Sequence, residues 1–64
     1  MNIQIDNYYI STNSGGYMKI CIDGQNIIHT RTKCETSNEA IIFAVNEIEK
    51  YNERHNLEWG EYDI

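Results

Sequence analysis

Between Thr36 and Asn56 the apolar residues recur at helical spacing, and no other stretch narrows the choice of folds so far. At ~100° per residue, Ala40, Ile41, Ala44, Val45, Ile48, Tyr51 and His55 fall within an arc of roughly 140°. The other side of that helix carries Asn46, Glu49, Lys50, Glu53 and Arg54. Thr36 and Glu39 precede the run with the spacing of a capping box, in which side chains satisfy free backbone N–H groups at the helix start. Asn56 can adopt the left-handed backbone that closes a helix. A stripe of this length must be covered, and the first half of the chain has the pattern to cover it.

That half reads as strands. Residues 2–12 are predicted to form one first strand, in which Ile3 and Ile5 alternate with Gln4 and Asp6. The parity then slips, and Tyr8 and Ile10 take up the pattern. A bulge near Asp6-Asn7 reconciles the two parts. Thr12-Asn13-Ser14-Gly15-Gly16 is a turn. Tyr17 to Ile22 is the second strand, with Met18, Ile20 and Ile22 on one face and Tyr17, Lys19 and Cys21 on the other. Asp23-Gly24-Gln25-Asn26 turns the chain again. In the third strand His29, Arg31 and Lys33 alternate with Ile28, Thr30 and Thr32. Keeping the charged set in water places Ile28 with Ile20 and Ile22 against the helix. That register predicts a three-residue or bulged loop rather than a two-residue Asp-Gly hairpin. The tail, Leu57 to Ile64, alternates acids with large apolar groups and is too aromatic for a plain solvated end. It is expected to lie back on the domain as a cap or short edge strand.

The predicted fold is α+β: a three-stranded antiparallel sheet packed against one helix, in the order strand, strand, strand, helix, with a short acidic-aromatic tail. All 64 residues form a single domain. A chain of this size buries only about 60% of its unfolded surface, so it has little room for an enclosed substrate cavity. The net charge of −5 argues against general affinity for phosphate backbones. The charge is unevenly placed: residues 1–33 carry three cations against two acids, and residues 34–64 carry two against eight. No signal peptide or apolar run long enough for a membrane span stands out, so the expected setting is the cytoplasm, with no membrane partner. Two cysteines left as free thiols fit that setting.

Gly16-Tyr17 opening a strand, Ile22-Asp23-Gly24 at a hairpin, Ile28 in the next strand, Thr36-Ser37-Asn38-Glu39-Ala40 opening the helix and Ala44 one turn on form a recognisable layout. It is similar to the sheet-plus-helix DNA-binding domains of the AP2 type and of integrase arm-binding domains. The resemblance spans just under half of the chain. It implies a DNA-binding outer sheet face made of Tyr17, Lys19, His29, Arg31 and Lys33. By size and composition alone, the chain also resembles the small anti-defence proteins of phages and mobile elements, of which anti-CRISPR proteins are the best-known group. That resemblance implies a protein partner, a nucleic-acid-handling enzyme whose substrate site is blocked.

Chemistry-bearing clusters are few. Cys21, His29, Cys34 and His55 suffice in number for zinc, but their spacing has no metal-ligand pairing. Cys34 lies roughly 17 Å along the sheet from the position opposite Cys21, beyond disulfide reach. A Cys21–His29 nucleophilic pair lacks an orienting third group and a pocket. No catalytic group, metal or cofactor is therefore expected. His55 is read as a packed histidine near the helix C-terminus. Phe43 stands near the centre of the polar side of the wheel, with Ile42 at its edge. It is either covered by Trp59 or Tyr62 or an exposed anchor for another chain. The expected function is a non-enzymatic protein-binding domain that inhibits a nucleic-acid-handling enzyme. Its contact surface comprises Glu39, Phe43, Glu49 and Glu53 on the helix, with Trp59, Glu61, Tyr62 and Asp63 in the tail. The alternatives are DNA binding through the outer sheet face and a homodimer joined at sheet edges or at Phe43.

Overall fold

The computed structural model describes residues 1–63; Ile64, the last residue of the tail, lies outside the described residues. Four strands and one helix follow one another: β1 (Asn2–Ile5), β2 (Tyr8–Thr12), β3 (Tyr17–Ile22), β4 (Gln25–Arg31) and α1 (Ser37–His55). The strands pair antiparallel in sequence order, so β1 and β4 are the edges. The α+β architecture with one helix is as expected, but the sheet has four strands, not three.

The extra strand comes from the first eleven sheet residues. The predicted bulge at Asp6-Asn7 is a hairpin turn, closed by the Ile5–Tyr8 pair, with Asp6 at φ 51°. A bulge and a two-residue turn both shift the parity of the alternation. What separates them is whether the chain reverses, and Asp and Asn both favour reversal through local hydrogen bonding and tolerance of positive φ. The second correction concerns Asp23-Gly24. The two-residue turn does form: Ile22 pairs with Gln25, and Asp23 and Gly24 sit at φ 49° and 79°, the signs a type I′ turn demands. The register shift lies further along, between Ile20 and Cys21 of β3, and leaves Ile27 as the extra residue of β4. Ile28 consequently pairs with Ile20 and faces the helix, as the burial of a charged row would otherwise forbid. The strand also ends at Arg31, short of Lys33.

Tyr8, Ile10, Met18, Ile20, Ile22, Ala40, Ala44 and Ile48 form the core, all at 1% exposure or less. Ile3, Ile5, Ile27, Ile28, Cys34 and Tyr62 pack around it. The helix begins and ends where its sequence signals stand. Thr36 is the N-cap, its Oγ1 accepting the Glu39 N–H at 3.2 Å, and Asn56 closes the helix at φ 57°, ψ 45°. The covered stripe lies within the predicted arc. Ala40, Ala44, Ile48, Tyr51 and Asn52 are buried, Val45 is half-buried, and Ile41 and His55 are exposed. By angle Ile41 and His55 fall among the buried residues, but they stand toward the two ends of the helix, so the stripe is covered over less of its length than the periodicity suggests. Asn52 is buried beside Tyr51, with no hydrogen-bond partner for its side-chain oxygen among the described residues.

Replacing Ile48 by alanine is expected to cost about 2–5 kcal/mol, most of the stability of so small a domain. Ile41→Ala is expected to cost under about 1.5 kcal/mol and Glu53→Ala under about 0.5 kcal/mol. Urea or thermal unfolding of the three variants measures that order. Equal losses for Ile48→Ala and Ile41→Ala would contradict the coverage of the helix described above.

Candidate functional site

Three surfaces carry the residues singled out by sequence: the outward side of α1, the tail, and the sheet face away from the helix.

On α1 the ridge Ile42, Asn46, Glu49 and Glu53 points outward at i, i+4, i+7 and i+11, and all four residues are exposed. Ile42 is the most open large apolar residue among the described residues, at 64%, with Ile41 at 36% and Phe43 at 38% beside it. This reverses the expected order, in which Phe43 held the centre of the polar side and Ile42 its edge. Phe43 lies on the flank nearer Ala40 and keeps part of its ring covered. Glu39 is set apart from Glu49 and Glu53 by its task. Its Oε1 accepts the Glu35 N–H and the Thr36 hydroxyl, each at 3.3 Å, so its carboxylate closes the capping box. Together with partial burial, which contributes more, that carboxylate pushes the Cys34 thiol above its ordinary range.

The tail is a clasp. The Trp59 ring packs on Tyr8 at 4.8 Å between centroids, and its Nε1–H donates to Asp6 Oδ2 at 2.7 Å. The Gly60 N–H donates to the Tyr8 hydroxyl at 2.8 Å, and Asn7 Nδ2–H donates to the Gly60 carbonyl at 3.0 Å. Gly60 sits at φ 87°, a left-handed backbone that calls for glycine. At the far end the Asp63 N–H donates to the Tyr51 hydroxyl at 3.1 Å, and Asp63 Oδ2 meets His55 Nδ1 at 2.9 Å. His55 is thus an exposed partner for Asp63, its ring stacked on Tyr51, rather than a packed core histidine. Glu61 accepts the Glu58 N–H at 2.7 Å, and Tyr62 is half-buried against the core. The tail lies back as a cap, without becoming a strand.

No second layer covers the outer sheet face among the described residues. Asn2, Gln4, Tyr9, Ser11, Tyr17, Lys19, Cys21, Asn26, His29 and Arg31 point that way by alternation, and no carboxylate is among them. Lys19 and His29 are cross-strand partners, as are Tyr17 and Arg31. The Arg31 guanidinium lies 5.2 Å from the Tyr17 ring centroid, and His29 is 5.9 Å from the same ring. Lys33 lies beyond the end of β4 and is exposed. Tyr9, 55% exposed, belongs to this face and was missed when residues 2–12 were read as one strand; the alternation of Tyr8 and Ile10 is the signal that places it.

These surfaces do not assemble a reaction centre from the candidate groups. Cys21 donates its thiol to Asn26 Oδ1 at 2.6 Å on the outer face, while Cys34 packs against the core. The four Cys and His side chains therefore do not converge, and no cluster of metal-ligating side chains occurs among the described residues. No helix among the described residues is long and apolar enough to cross a membrane. No protein-family model matches the chain, and neither a curated protein nor a solved structure matches it.

Trp59→Ala is expected to lower stability by about 1–3 kcal/mol, less than loss of a fully buried tryptophan, and to raise exchange of the Gly60 and Asp63 amides. Hydrogen exchange reads both. In a Cys21→Ser background, iodoacetamide should alkylate Cys34 with a midpoint above the ordinary thiol value of about 8.5, because only the thiolate reacts. A Glu39→Gln change should move that midpoint down.

Proposed function

We propose that this chain is a non-enzymatic binding domain that docks another protein through the outward side of its helix. One observation carries the reading: Ile42, 64% exposed, stands on the same ridge as Glu49 and Glu53, with Ile41 and Phe43 open on either side. An apolar anchor within an acidic surround suits a partner with a basic rim and an apolar pocket, because charge speeds encounter and the buried anchor holds the complex. A nucleic-acid-handling enzyme has such a surface where it holds phosphates. The acidic helix would then occupy a substrate groove, which is the action implied by the resemblance to phage anti-defence proteins and places the domain in the host cytoplasm. The tail residues expected on this surface are engaged within the chain, so Ile42, Phe43, Glu49 and Glu53 are its centre.

A second reading rests on the outer sheet face. Two exposed tyrosines, Lys19, His29 and Arg31 share a face without a carboxylate, which suits a nucleic acid despite the net charge of −5. Under that reading duplex affinity falls steeply with salt, and Lys19→Ala and Arg31→Ala each weaken it.

The two readings separate cleanly by mutation. Under the first, Glu49→Lys with Glu53→Lys slows association with the partner and reduces its salt dependence while the domain stays folded. Ile42→Ala or Phe43→Ala speeds dissociation, about tenfold for each ~1.4 kcal/mol lost. Surface plasmon resonance against a partner recovered from the native host measures both rates. Unchanged rates in the charge-reversed protein, with salt-sensitive binding of DNA, would transfer the function to the sheet.

A further inference from the structure

β4 is the longest strand and lies at an edge of the sheet. The opposite edge, β1, is only four residues long, the sort of short strand that discourages pairing. β4 has a bulge at Ile27, but its pairing from Ile28 to Arg31 is regular. The direction of its backbone groups follows from the next residue along: the Thr32 N–H donates toward β3, to the Gly16 carbonyl at 2.8 Å. Backbone direction alternates along a strand, so Ile28 and Thr30 also point to β3. The N–H and C=O groups of His29 and Arg31 therefore point to the open edge, where no strand pairs with them among the described residues.

A groove runs alongside this edge, between β4 and the C-terminal half of α1. Ile27 and Ile28 of β4 and Tyr51 of α1 give it an apolar part, within a lining that is otherwise polar, from His29, Thr30, Glu47, Arg54 and His55. The Glu47 carboxylate is 3.8 Å from Lys50 Nζ. On the other side of the strand, His29 and Arg31 show their side chains to solvent, with Lys33 just beyond, and no acid lies on that face.

We propose that the edge of β4 is a β-augmentation site for an extended segment of a partner protein in which acidic and apolar residues alternate. Main-chain bonds to His29 and Arg31 align the segment as a fifth strand. Its alternate side chains then fall on opposite sides of the sheet. One set enters the groove over Ile27, Ile28 and Tyr51 and is apolar. The other set lies beside His29, Arg31 and Lys33 and is acidic. A second copy of the chain is less well suited: antiparallel self-pairing about Thr30 keeps the faces matched but offers Arg31 only His29 as its cross-strand neighbour, whereas an acidic segment offers it a carboxylate. The site uses none of the ridge residues Ile42, Asn46, Glu49 and Glu53, so it stands or falls independently of the helix-docking reading.

The test is titration of the full chain, labelled with nitrogen-15, with a capped peptide Glu-Val-Glu-Ile-Glu-Val-Glu. A second titration uses the same peptide with Lys in place of each Glu. The acidic peptide should bind saturably, shifting the amides of His29 and Arg31 and slowing their exchange with solvent. The Lys peptide should bind at least about tenfold more weakly, and Arg31→Glu should invert that preference. His29→Pro removes an outward N–H without cutting a bond to β3 and should abolish binding. If that variant does not fold, Arg31→Glu decides alone, because it leaves the backbone intact. Equal binding of the two peptides, shifts confined to the helix ridge, or no binding at roughly millimolar peptide would overturn the proposal. So would concentration-dependent dimerisation through the same amides, or tighter binding of a thymidine octanucleotide there.

Discussion

The seating of Ala40 and Ala44 on the sheet is the contact on which the rest of this small structure depends. Among the described residues a single helix covers four strands, so the core forms where that helix meets Ile10, Met18, Ile20 and Ile22. Alanine at two successive turns gives that meeting line its small side chains, and Ile48 fills the space one turn later. The apolar atoms removed from water there contribute roughly 25 cal/mol per Å², and no second layer adds to them. A narrow line of contact has a consequence on the other side of the helix. Ile41, Ile42 and Phe43 follow directly on Ala40, and a helix that rests on alanines cannot bury all three. The exposed apolar ridge and the core are thus two results of one helix phase.

The same shortage of covering elements explains the clasp. Tyr8 is fully buried, yet it lies at the β1–β2 turn, and part of its cover comes from Trp59. Its hydroxyl also needs a partner once removed from water, and the Gly60 N–H supplies one. The tail crosses from that turn to the end of the helix, where Tyr51 and His55 receive Asp63. Residues that look in sequence like an acidic, aromatic binding arm are in this way drawn into the fold. Their contribution to a partner contact is limited to the surface they still show, such as the 41% of Trp59 that remains open.

Charge follows the same two-sided plan. The strands put their few cations on the outer face, and the two aspartates of the sheet half stand in turns, while the helix and tail hold seven acids. The domain therefore offers two chemically opposite surfaces on opposite sides of one thin layer pair: an acidic ridge with an apolar anchor, and a mildly basic aromatic sheet ending in an open strand edge.

The helix was legible in the sequence almost to the residue, because capping box, periodicity and closing asparagine are all local signals read within a few turns. The inward face of β3 and the placement of Ile28 were legible for a similar reason: alternation and the cost of burying charge leave one register. The first hairpin was not, since a parity slip at Asp6-Asn7 marks a turn and a bulge alike and only the pairing of β1 with β2 decides between them. The membership of Tyr9 in the outer face went unseen with it. How far along the helix the stripe is covered waited for the tertiary structure, because periodicity gives the angle of a side chain and not whether the sheet reaches it: Ile41 and His55 share the buried arc and stay exposed. The anchoring of Trp59 by Asp6 and of Gly60 by Tyr8 joins residues more than fifty positions apart. Such a contact leaves no mark in local pattern. The sequence by itself determined the elements and their faces; the tertiary structure decided which exposed groups remain free to meet a partner, because that depends on what folds back to cover them.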